Sequence, residues 1–328
     1  MAELISPGVL IKEKDLTTGV RSEATSIGAI GIHAYKGPVT TTHDSVITIQ
    51  DETQLRDIYG KPDGSNFEYW FTAANFLSYG NTLKVIRMLT TGQLNATGAG
   101  AGTLIPNTTA YQVGDGTYGP FSGGQATGLG SWAAKSAGAE GNNLKVDICT
   151  TAAAYQELSK STTDALYAIG VTTVSVLSAT GFSVGDIIFL QEGNGQHYRV
   201  TGIATNDLTI VRFPAANATG LSTAVASGSN VDRMWRYWDK FDGPPGTSTY
   251  VSDRGGLTDE LHVIIHDEDG GISGTAGTQL ESYDAVSKAS DAKTDEGDSN
   301  YYADVMYNNS DWIYWLDHPA GASNWGTA

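Results

Sequence analysis

Hydrophobic and polar positions follow two rhythms along this chain, and they meet in residues 65–89, SNFEYWFTAANFLSYGNTLKVIRML. Phe67, Trp70, Phe71, Ala74 and Leu77 recur at helical spacing. Ser65 and Glu68 read S-x-x-E, a capping box in which each side chain satisfies an orphan backbone donor. Gly80 follows as the expected left-handed stop, because it carries no Cβ. Only Asn81 and Thr82 separate it from 83–88, where Leu83 and Val85 place apolar groups on one face and Ile86 and Met88 on the other. A strand apolar on both faces belongs inside a sheet. A helix with three aromatics on one stripe needs a broad apolar cover. This helix and strand therefore form the centre of the main domain, with Trp70 in its core.

The same reading extends to both sides. Residues 27–34, IGAIGIHA, read as a buried strand, Gly37-Pro38 as a turn and 45–50 as a second strand. Asp51 caps a short helix with Gln54 in a box-like pair; Leu55, Ile58 and Tyr59 form its stripe, and Gly60 stops it before Pro62. The order strand, strand, helix, helix, strand suits an α/β layer. Residues 90–131 are rich in Gly, Ala, Ser and Thr and read as an exposed insertion or a long loop. Leu144, Val146 and Ile148 alternate in a strand over 143–149. Strands at 171–177, 186–191, 197–203 and 208–213 make 156–232 a separate β module, a small barrel or sandwich. Further on, 261–265 is a strand, HDEDGG at 266–271 a turn, 279–288 a helix or edge strand, and 301–307 and 311–316 aromatic strands. At the start, Pro7 and Gly8 break any helix, and Val9, Leu10 and Ile11 form a strand-like patch. That terminus is a frayed end or an arm that pairs with a sheet elsewhere. The expected fold is mixed α/β and multi-domain: a central α/β sheet-and-helix domain, an inserted all-β module and an extended N-terminal arm.

Composition changes this picture little. The chain has 328 residues, 40 of them glycine, and 17% are charged, which suits β-rich structure with many turns. Thirty-six acidic residues against 19 basic ones give a net charge of −17, so neither nucleic acid nor an anionic membrane is an expected partner. Cys149 is the single cysteine, which rules out a disulfide within the chain and points to synthesis in a reducing cytoplasm. Its place in the apolar run 144–149 reads as a buried, inert thiol.

Candidate chemistry is sparse. Residues 114–119 match G-x-G-x-x-G but have no strand before them and Pro120 after, so the dinucleotide context fails. Residues 181–185 match G-x-S-x-G, yet a strand rather than a helix follows Ser183. His266, Asp267, Glu268 and Asp269 are consecutive, so on an extended chain they point to opposite faces and cannot converge on a metal. They read as a solvated hairpin tip, and Asp291, Asp295, Glu296 and Asp298 as a solvated acidic loop. No phosphate-binding loop and no H-E-x-x-H is present. The expectation is no catalytic residue, no cofactor and no metal.

Several segments together resemble the contractile tail sheath proteins of bacteriophages and related injection systems. They are SPGVLIKE at 6–13, Gly37-Pro38 with the strand and helix ending Tyr59-Gly60-Lys61-Pro62, AANFLSYGNTLKVIR at 73–87, and AKSAGAEGNNLKVDI at 134–148. FDGPPGTS at 241–248, DELHVIIHDEDGGISG after it and ESYDAVSKASDAK at 281–293 complete the set. Residues 90–131 and 156–232 match least, as variable insertions would. The resemblance implies a structural subunit, not an enzyme, that stacks in rings, hexameric in that family, around a tail tube protein, with baseplate and tail-terminator proteins at the ends. It implies assembly in the host cytoplasm, residence in the phage virion, and contraction without nucleotide that drives the tube through the host envelope. It also implies that the arm, with Ser6, Pro7, Gly8, Val9, Leu10 and Ile11, adds a strand to a neighbour's sheet. The division it suggests is 1–22 as arm, 23–89 plus 132–155 plus 233–328 as sheath domain, 90–131 as a Gly/Ser/Thr-rich insertion and 156–232 as an outer β module. The chain ends in SNWGTA without an evident C-terminal tube-contacting domain, as expected of a fragment or a subunit seen in part. The rival reading is a carbohydrate- or receptor-binding phage protein, or an enzyme, that uses the 156–232 module through exposed aromatics among Tyr167, Phe182, Phe189, Tyr198 and Phe213.

Overall fold

A computed structural model describes residues 27–39, 46–113, 128–214 and 219–328. The arm residues Ser6 to Ile11 and the glycine motif at 114–119 lie outside the described residues. The fold is mixed α/β with several sheets, and the chain divides into two units, Met1–Thr91 and Gly92–Ala328.

In the first unit, β1 (Ile27–His33), β2 (Ile47–Ile49), α1 (Glu52–Tyr59), α2 (Phe67–Leu77) and β3 (Thr82–Met88) follow in chain order. The sheet order is β1-β3-β2, with β1 parallel and β2 antiparallel to the central β3. Leu83 and Val85 of β3 meet Ile32, Ile49, Leu55, Tyr59, Trp70 and Ala73 in one core. α1 forms as its caps dictate: Asp51 Oδ1 accepts the Gln54 N–H at 2.9 Å, Gln54 Oε1 accepts the Gln50 N–H at 2.9 Å, and Gly60 closes the helix at φ +89°. Arg87 is buried and donates to the carbonyls of Ala34 (3.0 Å) and Gly37 (2.7 Å), so its charge is spread over main-chain oxygens.

The central helix differs from its sequence reading in three respects. No capping box forms: Ser65 Oγ donates to Asp63 Oδ1 at 2.6 Å, and Asp63 also accepts the N–H groups of Ser65 and Asn66. An aspartate two residues upstream outcompetes the serine because an ionised carboxylate is the stronger acceptor. The buried stripe is Trp70 and Ala73, with Phe67 and Phe71 about half exposed, so the helix is rotated from the aromatic-rich face. Trp70 does lie in the core, and its Nε1 donates to Gly60 O at 2.9 Å. Gly80 is not left-handed; it is required because a Cβ there would come within 2.7 Å of the Phe76 ring. On β3 only one face is buried, and Ile86 and Met88 are exposed.

The second unit contains three sheets. β4 (Asn95–Thr97), α3 (Thr108–Val113) and β5 (Trp132–Ala137) come first, then β6 (Leu144–Cys149), α4 (Ala152–Tyr155) and β7 (Gln156–Thr162). β8 (Thr173–Ser175), β9 (Ile187–Phe189), β10 (His197–Ala204), β11 (Asp207–Phe213) and β12 (Asn230–Met234) follow. The chain closes with α5 (Thr249–Ser252), β13 (Glu260–Asp267), β14 (Thr278–Ser287), α6 (Tyr302–Asn309) and β15 (Ile313–Trp315). The sheet orders are β15-β5-β4, β14-β13-β6 and β7-β12-β9-β10-β11-β8. The last has a core of its own, built on Val174, Ile188, Tyr198, Val200, Leu208 and Ile210. Its first and last strands in chain order, β7 and β12, pair, and the Trp235 N–H donates to Tyr155 O at 2.7 Å just outside them.

β13 is buried along both faces. Leu261, Val263 and Ile265 pack with α6 and β15, while Ile264 joins Cys149, Tyr155, Trp235 and Phe241 on the other side. Two expectations change in this unit. Residues 301–307 are mostly helix, because Tyr302, Ala303 and Met306 share one buried face of α6. The stretch after 90 carries a strand and a helix whose Ile105, Ala110 and Tyr111 are buried, with Tyr111 stacked 4.4 Å from Tyr314. Of the two readings of 279–288, helix or edge strand, the edge strand holds, as β14.

Candidate functional site

Strand alternation puts His262, Ile264 and His266 on one face of β13, and both histidines are buried there. His262 stacks on Phe241 at 4.5 Å, its Nε2 lies 2.9 Å from Gly243 O, and its Nδ1 lies 3.0 Å from the Ala285 nitrogen and 2.9 Å from Asp284 Oδ1. This is a packed core histidine with polar partners on both ring nitrogens. His266 lies at the strand's end beside a polar pocket of about 420 Å³. The Tyr237 hydroxyl stands 3.0 Å from its Nε2, Glu268 Oε2 3.2 Å from the same nitrogen, and Asp147 Oδ2 3.7 Å from Nδ1. Burial pushes the imidazole below its ordinary value, against the pull of Asp147 and Glu268. It is therefore neutral near pH 7. Burial likewise pushes the Tyr237 hydroxyl up, so it stays protonated.

Two arginines complete the pocket. Arg199 of β10 lies over the Phe213 ring at 4.8 Å, and Arg236 over the Tyr237 ring at 5.1 Å. Aromatic faces hold guanidinium planes by their quadrupole and leave the N–H edge free to bind something else. The carboxylates at the rim have cations already: Glu268 pairs with Lys145 at 3.0 Å and Asp239 with Lys240 at 3.4 Å. Such an arrangement holds charge.

The sequence candidates fall as follows. The HDEDGG turn is not a solvated tip, since His266 and Asp267 are buried while Glu268 and Asp269 face solvent. Asp267 accepts the N–H groups of Gly270, Ile272 and Ser273 and the Ser273 hydroxyl, so it organises the hairpin loop. Ser183 sits in a turn, its N–H donating to Asp186 Oδ2 at 2.8 Å, and β9 follows it. Cys149 is buried, and burial pushes its thiol up to about 12. Among the described residues, no group of three or more His, Cys, Asp or Glu side chains is placed to hold a metal ion. The module's aromatics form no exposed platform among the described residues. Tyr198 and Phe182 are buried, Tyr167 packs on the module core, Phe189 stacks on His197 at 5.1 Å, and Phe213 lies under Arg199. Sequence reasoning missed the pocket itself. Its parts stand far apart in the chain, and the only signal was two isolated arginines in an acidic protein.

No family model matches the chain. Curated proteins similar to it include tail sheath proteins of three phages. That of Enterobacteria phage T4 is 31% identical over 84 residues, 26% of this chain and 12% of that protein. That of Vibrio phage KVP40 is 32% identical over 111 residues, 34% of this chain and 15% of that protein. That of Salmonella phage ViI is 22% identical over 331 aligned residues, 94% of this chain and 49% of that protein. The chain thus spans about half the length, or less, of the relatives it matches, and its homology to phage tail sheath proteins is distant and partial.

Proposed function

We propose that the chain is the N-terminal and central part of a contractile phage tail sheath subunit, a structural protein without catalytic activity. The observation that carries this reading is the alignment to the Salmonella phage tail sheath protein over 94% of the chain. In this reading, copies stack as rings, hexameric by resemblance, around a tail tube protein, with baseplate and tail-terminator proteins at the ends. Assembly takes place in the host cytoplasm, and contraction drives the tube through the host envelope. Residues 1–22 are the arm, and Val9, Leu10 and Ile11 add a strand to a sheet edge of a neighbour. Residues 23–89, 132–155 and 233–328 form the sheath domain, 90–131 is an insertion, and 156–232 is an inserted outer module. The test is electron microscopy of the complete gene product, expressed with and without its tube protein. Tubes or polysheaths are the expected result; a uniformly monomeric product overturns the reading.

A further inference from the structure

The described arginines divide into two groups. Arg56 pairs with Asp57, and Arg233 with Asp186 at 3.5 Å. Arg87, Arg212 and Arg254 donate to main-chain carbonyls. Arg199 and Arg236 alone among them have no hydrogen-bond acceptor and no carboxylate within ion-pair distance, although each presents five donors in a planar fork. Both are pinned over aromatic rings at the mouth of one pocket, so the entropy of ordering them is already spent in the free protein. Asp186, which lies near Arg236, is taken by Arg233, and Glu268 and Asp239 are taken by lysines. A chain of net charge −17 that holds two guanidiniums without a hydrogen-bond acceptor in the lining of one pocket has a site for a carboxylate-bearing partner.

The same chain displays such a partner. Between β14 and α6, Lys293 bridges Ser299, the Thr294 N–H donates to Asp298 O at 2.9 Å, and Gly297 turns the chain at φ +95°. This ordered tip carries Asp295, Glu296 and Asp298, all exposed and none in an ion pair. Within one copy the tip does not meet the two arginines. We propose that the Arg199–Arg236 pocket receives the 294–298 tip of a second copy. Two copies could exchange this contact reciprocally in a two-fold dimer or repeat it head-to-tail; the assembly reading above selects the head-to-tail form, which propagates into a ring or helix. The inference rests on the assembly reading above and gives it one specific contact.

The test is sedimentation velocity of the full chain at low and high salt, with three variants: Arg199→Glu/Arg236→Glu, Asp295→Lys/Glu296→Lys, and all four changes together. The parent is expected to self-associate at low salt and to dissociate as salt screens the contact. Each double reversal should raise the dissociation constant about tenfold or more, and the fourfold variant should return it to near the parental value. Arg199→Gln/Arg236→Gln, which neutralises without reversing, guards against misfolding and should weaken association in the same direction. A monomeric parent overturns the proposal, as does association indifferent to either reversal or a fourfold variant that is not rescued. Weakening by the pocket reversal alone, with the tip reversal silent, assigns the pocket to some other acidic surface and also overturns it. Tubes formed by a complete gene product bearing the pocket reversal sink this contact and leave the sheath reading intact. Absence of tubes from the parental product sinks the sheath reading itself.

Discussion

Asp267 is fully buried at the end of β13 with four donors aimed at its two oxygens. Burial alone would raise its carboxyl, but hydrogen bonds from Ser273, Ile272 and Gly270 outweigh it and hold the group below the usual carboxylate range. A carboxylate depressed in the folded state stabilises the fold above its unfolded value, about 3.9, and this contribution is lost as pH falls through the folded value. Asp267→Asn keeps one acceptor oxygen, and even turned toward the Ile272 and Ser273 N–H groups it sets its NH₂ against the Gly270 N–H. It should cost about 2–3 kcal/mol at neutral pH, the scale of charge-assisted hydrogen bonds left unmade. Thermal denaturation of parent and variant at pH 7 and again below pH 4 checks this. The difference should shrink in acid, and an equal difference at both values would assign the loss to shape and not to charge.

At the level of elements, the Phe76 ring fixes how α2 meets β1. It fits between two glycines: an added Cβ would come within 2.8 Å of it at Gly28 and within 2.7 Å at Gly80. Gly80→Ala should therefore overpack the junction and cost about 1–3 kcal/mol. Phe76→Leu in the same chain should recover part of that loss. Urea unfolding of the single and double variants measures the coupling, and simple additivity would exclude a shared contact. These close approaches were not legible in the sequence, where Gly80 reads equally well as a helix stop. α1 was legible because its cap, stripe and stop agree, and β13 because a continuous apolar run admits little else. α6 was not: its tyrosines and valine favour strand, and only burial shows that Tyr302, Ala303 and Met306 share a face. β7 was also hidden, since QELSKST has no apolar alternation and is a strand only because β12 pairs with it. The pocket was illegible for a related reason, because Arg199, Arg236 and His266 come together only after two sheets have formed.

At the scale of the whole molecule, the proposed arm and module make separate demands. Leu10→Pro removes a backbone donor from the strand the arm is proposed to add. It should leave the thermal stability of the unassembled chain nearly unchanged and block tube formation by the complete gene product. Normal tubes, or an unfolded chain, would reject an inter-subunit arm. The module's two ends meet at the Tyr155–Trp235 rung, so joining those residues by a short turn and deleting 156–234 should leave the remainder with one cooperative unfolding transition. Loss of that transition would show that the module is part of the body's fold.

The paired ends of the module also define a load path. β7 and β12 leave the rest of the unit side by side. A pull on the module is therefore carried by two covalent backbones in parallel, one through α4 into β6 and the other through Trp235 toward Phe241. The hydrogen bonds between the two strands lie across that pull and bear little of it. A sideways push meets contacts beside the neck, where His197 of β10 packs against Trp238 at 5.4 Å. The module is thus tied in tension by its two strands and braced in tilt by the packing that also shapes the pocket around His266.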